Sequence, residues 1–388
     1  MLIAGGGIGG LAAAIALSRR GFETEVLERS SFVEESGAGI QLGPNATRAL
    51  VSLGVLDAIE PHAFRPEAIC IFDGLSGRRL SSVPLGKRAE QRYGAPYLTL
   101  HRADLHAGLH AIAQKLSTVT LRSGFEVDAL DAQAADVVVR AADGAEAKGA
   151  ALICADGLWS TLRPLVMPEA HLRFTGHTAW RALLPRNALP APFDAPIVGL
   201  WLGPRSHLVH YPVRSGEKLN VVAVTEGGAA FQGWNQKGNS ATLLAGFTRW
   251  CKDSKSLLES ASVWRSWSLY RLLDLRAWSA GCVTLLGDAA HPVLPYLAQG
   301  AALAIEDALT VAACVAGRPG DLPAAFRRYE AIRRPRAARV ERLARSYGRL
   351  YHLRGHLRLA RNLVLAQRSE ARALRRFDWL YGHQEPDV

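Results

Sequence analysis

Cysteine is scarce and scattered in this chain, with five in 388 residues, at positions 70, 154, 251, 282 and 314. The number is odd and no C-x-x-C pair occurs, so neither a disulfide framework nor a zinc site is expected, and the reducing cytoplasm is the expected compartment. No run of 18 or more apolar residues appears, so no membrane span is expected. The first residues already read as a strand, so no signal peptide is expected. Internal repeats and low-complexity tracts are also missing. Only one dinucleotide-type glycine fingerprint is present, which argues against a reductase built from two such units.

The net charge of +11 sits in one place. Residues 327–376 hold 16 Arg and three acids, an excess of 13, while the rest of the chain carries 30 basic and 32 acidic residues. Val340, Leu343, Tyr347, Leu350 and Tyr351 recur at helical spacing there, so the segment has a packing face. The expected remainder is an arginine-rich solvated surface, with a homodimer contact or attraction of anionic ligands as its uses. No nucleic-acid-binding module accompanies the charge, so nucleic acid is not an expected partner.

Against these absences stand three motifs. Gly5, Gly7 and Gly10 fit G-x-G-x-x-G, between the short strand of residues 1–4 and a helical run from Leu11 to Leu17. Such glycines permit a tight turn, close backbone approach to a pyrophosphate, and packing of helix on strand. The helix N-terminus offers free N–H groups to the phosphates. A second strand ends in Glu28-Arg29, and an acid there can accept from both ribose hydroxyls of an adenosine. Next, a buried strand at 150–154 runs into Ala155-Asp156-Gly157 and Ser160-Thr-Leu-Arg163, a turn able to meet a pyrophosphate through water and charge. Last, an apolar strand at 282–287 leads into Asp288-Ala-Ala-His291-Pro292, Pro295, Gln299-Gly300 and an alanine-rich helix.

In this order, the three motifs resemble those of the single-component flavoprotein aromatic hydroxylases. His101-Arg102-Ala-Asp104-Leu105, Leu297-Ala-Gln299-Gly300 and Trp379-Leu-Tyr-Gly382 resemble most the salicylate, 3-hydroxybenzoate and 6-hydroxynicotinate hydroxylase branch. Cys154 stands where many members have glycine, a small change because cysteine packs as a small hydrophobe. The resemblance implies an α/β (mixed α+β) fold. A Rossmann-like FAD-binding domain (1–65, 101–165 and 281–320) is interleaved with an antiparallel substrate sheet (66–100 and 166–280) and followed by a helical segment (321–388). It implies FAD, NADH or NADPH, and O2, with oxygen transferred from a flavin C4a-hydroperoxide to a small aromatic acid. The alternative on the same fold is an FAD-dependent oxidoreductase acting on a non-phenolic substrate.

The resemblance also assigns residues. Asp288 accepts from a ribityl hydroxyl, and Arg102 reaches the ribityl or phosphate region. The amides of Gly300, Ala301 and Ala302 open a helix toward the flavin, and Gln41 lies in a loop lining it. Pro295 shapes the oxygen-side pocket, and Gln299 holds a substrate carboxylate or hydroxyl. From their positions, His291 and His101 are expected as structural groups near the cofactor and Arg48 as a solvated surface group, and Arg163 and the 30s loop are candidates for receiving NAD(P)H. Alternation places His207, Val209 and Tyr211 on one face of their strand and Leu208 and His210 on the other. A His and a Tyr four apart on such a strand face the substrate in these enzymes, which makes His207 the expected base and Tyr211 its partner. His210 takes that place if the register slips by one.

Overall fold

The strand Leu2–Ala4 lies inside a parallel sheet, hydrogen-bonded to Thr24–Glu28 on one side and Leu152–Cys154 on the other. Val119–Ser123 and Val283–Leu285 extend it, and the short Ser279–Ala280 closes one edge in antiparallel sense. The computed structural model describes residues 1–32, 38–132, 136–273 and 276–384. Three residues suffice for Leu2–Ala4 because both neighbours pair with it and all three side chains are buried.

An eight-stranded sheet forms the second layer. Its order is Gln236–Lys237, Arg265–Leu273, His171–Pro185, Lys218–Glu226, Ser206–Val213, Ile197–Gly203, Ala68–Asp73 and Arg79–Pro84. Every pair is antiparallel except Ile197–Gly203 with Ala68–Asp73. Leu98–His101 does not join this sheet; it pairs with Gly39–Leu42 and so ties the two layers together. Two short helices, Pro44–Ser52 and Leu56–Ile59, are separated by a turn in which Gly54 adopts φ +61.

Helix Gly300–Gly317 has the length and apolar composition of a membrane span, yet 72% of it is buried inside the protein. It packs beside Ile8–Ser18; a Cβ at Gly9 would lie 2.7 Å from Leu286 and 3.4 Å from Ala304, so glycine sets how closely these elements approach. Its two acids, Glu306 and Asp307, are buried and therefore need cations. Helix Leu322–Tyr351 supplies them. Arg333 donates to Glu306 Oε2 and Asp307 Oδ1, both at 2.7 Å, and Arg336 Nη2 donates to Glu306 Oε1 at 2.7 Å.

The expectation of a solvated arginine face holds for ten of the sixteen arginines in 327–376, and the other six are wholly or partly buried. Arg333 and Arg361 are 1% and 4% exposed, and Arg358 donates to Asp73 Oδ1 at 2.6 Å. Part of the basic excess neutralises buried acids and caps carbonyls rather than facing water. Arg48 is also no surface group. It donates to the carbonyls of Tyr381 and His383, at 2.8 and 2.7 Å, and to that of Tyr93, pinning the C-terminal turn over the helix it stands on.

Candidate active site

A cavity of about 740 Å³ runs from the glycine turn to the face of the eight-stranded sheet. The three glycines have separate reasons to be glycine. Gly5 sits at φ +108, and a Cβ there would lie 2.5 Å from the Ala155 carbonyl oxygen. A Cβ at Gly10 would lie 1.9 Å from the Gly5 oxygen, so this residue sets the contact of helix on strand. A Cβ at Gly7 would meet nothing within 4 Å and would project at the N-cap of helix Ile8–Ser18, where the cavity begins. That bare patch beside unpaired helix amides fits a pyrophosphate.

Other walls of the same space fit the rest of FAD. Glu28 lines the cavity and is tied to the turn, accepting from Gly6 N at 2.7 Å and from Ser30 N and Oγ at 3.0 and 2.8 Å. Asp156 Oδ2 accepts from Leu162 N at 3.2 Å, whereas the buried Oδ1 has no partner. Burial raises the carboxyl pKa of both Asp156 and Asp288; at Asp288 the nearby His291, Arg102 and Arg163 act in the opposite sense. Arg102 opens helix Arg102–Gln114, and its guanidinium is electrostatically coupled to Asp288. Gly300 and Ala301 line the cavity next to Asp288, while the side chain of Ala302 is fully buried in the core. Arg29 stands at the rim in an exposed 3.8 Å pair with Glu126.

Arg163 departs from its expected use. Its guanidinium is buried and donates to the carbonyls of Ala289 (2.7 Å), Leu158 (2.8 Å), Gly157 and Asp288 (3.2 Å each). It clamps the Asp156 turn to the Asp288 turn and is closed to a nicotinamide cofactor. The 30s loop named with it lies largely outside the described residues. Gln41 belongs to a strand rather than a loop, and it accepts from Tyr97 Oη at 2.8 Å.

The sheet face supplies the polar groups of the far wall. His207, Val209 and Tyr211 all line the cavity, as alternation requires, and Asn220, Val222 and Val224 lie opposite them on the next strand. His210 points the other way, which removes it from any contact with substrate. It packs in the opposite core against Phe193 and Trp201, with ring centroids 5.1 and 6.3 Å away. Neither of its ring nitrogens has a partner, and burial pushes its pKa down to about 3. His207 is buried on the cavity side, and its Nδ1 lies 2.8 Å from His352 Nε2. Burial, with His352 and His177 close by, holds its pKa well below the usual imidazole range.

Pro295 lines the cavity as expected, and Gln299 lines it too. The Gln299 amide oxygen accepts from Asn45 Nδ2 at 2.9 Å, so this side chain joins the Glu306 network before any substrate arrives. Two residues outside the expectation matter here. Arg181 lines the cavity with its Nε unpartnered, and burial lowers its pKa to about 10, which leaves it cationic near neutrality. His352 follows the long arginine-rich helix and reaches His207 across 145 residues of sequence, a contact with no local signature.

Comparison with known proteins identifies the family. The family model for the FAD binding domain matches residues 1–344. A 3-hydroxybenzoate 6-hydroxylase of Polaromonas naphthalenivorans is 37% identical over 382 residues, covering 98% of this chain and 95% of its own length. A 6-hydroxynicotinate 3-monooxygenase of Bordetella bronchiseptica is 34% identical over 351 residues, covering 88% of this chain and 89% of its own. Among solved structures, Klebsiella pneumoniae HpxO in complex with FAD and uric acid superposes with a TM-score of 0.87 at 26% identity, over 98% of this chain and 96% of that one. The chain belongs to the FAD binding domain family and is an FAD-dependent aromatic-acid hydroxylase.

Proposed function

We propose that the protein hydroxylates a monohydroxylated benzoate or pyridine carboxylate, with 3-hydroxybenzoate the first candidate, consuming NADH or NADPH and O2. Bound FAD supplies the hydride acceptance and oxygen transfer; the chain supplies position and electrostatics. Gly7 and the amides behind it would hold the pyrophosphate, Glu28 the adenosine ribose, and Asp288 and Arg102 the ribityl region. The N-terminus of helix Gly300–Gly317 would favour negative charge on the ring edge, by ~0.3–1 kcal/mol when exposed and up to ~2 kcal/mol when partly buried. His207 takes the phenolic proton, Tyr211 anchors the substrate beside it, and Arg181 gives the cavity a positive potential toward a carboxylate.

The observation that carries this reading is His207, kept neutral by burial and lining the same cavity as the Gly7–Asp288 cradle. Its neutral imidazole offers a lone pair that takes a proton only in passing, because burial disfavours the imidazolium, and a positioned base contributes roughly 10²–10⁴-fold. His207→Ala should therefore keep FAD, still oxidise NAD(P)H, and lose product by about that factor. Unchanged hydroxylation across the pH range would defeat the assignment. The five unpaired cysteines suit a cytoplasmic enzyme. Leu357, Leu359, Leu363 and Val364, all exposed on helix Gly355–Ala366, support a homodimer through that helix, which light scattering of the purified enzyme would test.

A further inference from the structure

His207 is not the end of a chain of groups but its inner terminus. His352 stands immediately behind it, and behind His352 stands Glu226, the last residue of the neighbouring strand. The separations are 2.8 Å from His207 Nδ1 to His352 Nε2 and 3.5 Å from His352 Nδ1 to Glu226 Oε1. The two histidines are buried, whereas Glu226 is about one-third exposed (32%) and pairs at the surface with Arg205 and Arg354. We propose that His207, His352 and Glu226 form a proton path from the cavity to solvent, with His352 and Glu226 acting as positioning residues for the base. This rests on the reading that His207 faces the substrate hydroxyl.

The order of protons along the path follows from its outer end. An ionised carboxylate only accepts, so Glu226 requires the proton of His352 to sit on Nδ1. His352 Nε2 is then an acceptor, which requires the proton of His207 to sit on Nδ1. His207 Nε2 is left as a bare lone pair, the form a base needs. A buried Nδ1 of His352 left unpaired is costly, so closing the 3.5 Å gap by rotation of the partly exposed Glu226 is favoured.

Each transfer is balanced and involves no electron change. The substrate O–H breaks as Nε2–H forms on His207; Nδ1–H of His207 breaks as Nε2–H forms on His352; Nδ1–H of His352 breaks as the proton reaches Glu226 and then water. The reverse passage restores the phenol and the original tautomers. Neither histidine stores the proton, because burial lowers both, with His352 taken to about 3 by burial, His177 and Arg361. The other groups around the pair are His177, whose ring lies 5.2 Å from that of His352, and the phenols of Tyr296 and Tyr351.

The test is a stopped-flow measurement of phenolate formation when 3-hydroxybenzoate, or the hydroxy acid giving most product, binds the FAD-loaded enzyme across pH. Glu226→Gln and His352→Asn should slow deprotonation at least 10-fold with normal FAD content and an unchanged rate of flavin reduction by NAD(P)H. Glu226→Asp should recover part of the loss, and formate should rescue Glu226→Ala. Wild-type deprotonation in both variants, with His207→Ala defective, would overturn the path while leaving His207 as base. A normal His207→Ala would instead defeat the base reading itself. Equal slowing of deprotonation and flavin reduction would also overturn the path, because it marks a structural defect.

Discussion

Replacing Gly7 by valine should remove FAD and leave the fold standing. Gly7 is the N-cap of its helix at φ −73 and ψ −174, a backbone any residue adopts, and a Cβ there meets no atom within 4 Å. The apoprotein should therefore lose no more than ~1 kcal/mol. The valine side chain would stand where the pyrophosphate must approach the helix amides. Losing two charge-assisted hydrogen bonds, at about 1.5–3 kcal/mol each, weakens FAD binding by roughly 10²–10⁴-fold at about 1.4 kcal/mol per decade. Flavin fluorescence titration reads the affinity, and circular dichroism melting of the apoprotein reads the fold. Gly10→Ala is the contrasting variant. Its Cβ would lie 1.9 Å from the Gly5 oxygen, so helix and strand must part and the melting temperature should fall first. A Gly7→Val protein that purifies with a full complement of flavin would refute the assignment of this turn to the pyrophosphate.

Other predictions concern the walls and the support of the site. Asp288→Ala should purify with little flavin and melt like the wild-type apoprotein, and a normally yellow protein would count against its ribityl role. Arg333→Met leaves two buried carboxylates, each 2.7 Å from the lost guanidinium, short of a partner. Breaking such a pair costs about 3–5 kcal/mol, or a melting shift of roughly 4–6 °C for a chain of this length; an unchanged melt would refute the role of the network. Burial alone would raise Glu306 and Asp307, but Arg333 and its neighbours Arg336 and His291 hold both below the usual carboxylate range. Depressed native pKa values stabilise the fold above the unfolded carboxylate range, near pH ~4. That stability should fade as pH drops through the lower native values. Melting temperature followed from pH 7 to 3 should show this acid decline, and Arg333→Met should flatten it.

What could be read from the sequence was whatever lay within one local unit. The glycine turn, Glu28, Asp156 and Asp288 each sit at the end of a strand beside a turn, so strand, turn and acid occur in one stretch of residues. The face shared by His207 and Tyr211 followed from the two-residue period of a strand, and the same rule turned His210 away. What escaped were contacts over long sequence separations. His352 reaches His207, Asn45 reaches Gln299 and Glu306, and Arg48 reaches the last turn, with nothing local to announce them. The buried arginines of the largely solvated C-terminal segment escaped for the same reason: Glu306, Asp307 and Asp73, the acids that bury Arg333 and hold Arg336 and Arg358, lie elsewhere in the chain.

The most direct measurement is NAD(P)H oxidation by the flavin-loaded protein under ¹⁸O2, against a panel of hydroxybenzoates and hydroxynicotinates, with products weighed by mass spectrometry. At least one acid should accelerate oxidation and emerge carrying one labelled oxygen atom for each NAD(P)H consumed. If no aromatic acid accelerated oxidation and none gained an oxygen atom, the hydroxylase account would be contradicted.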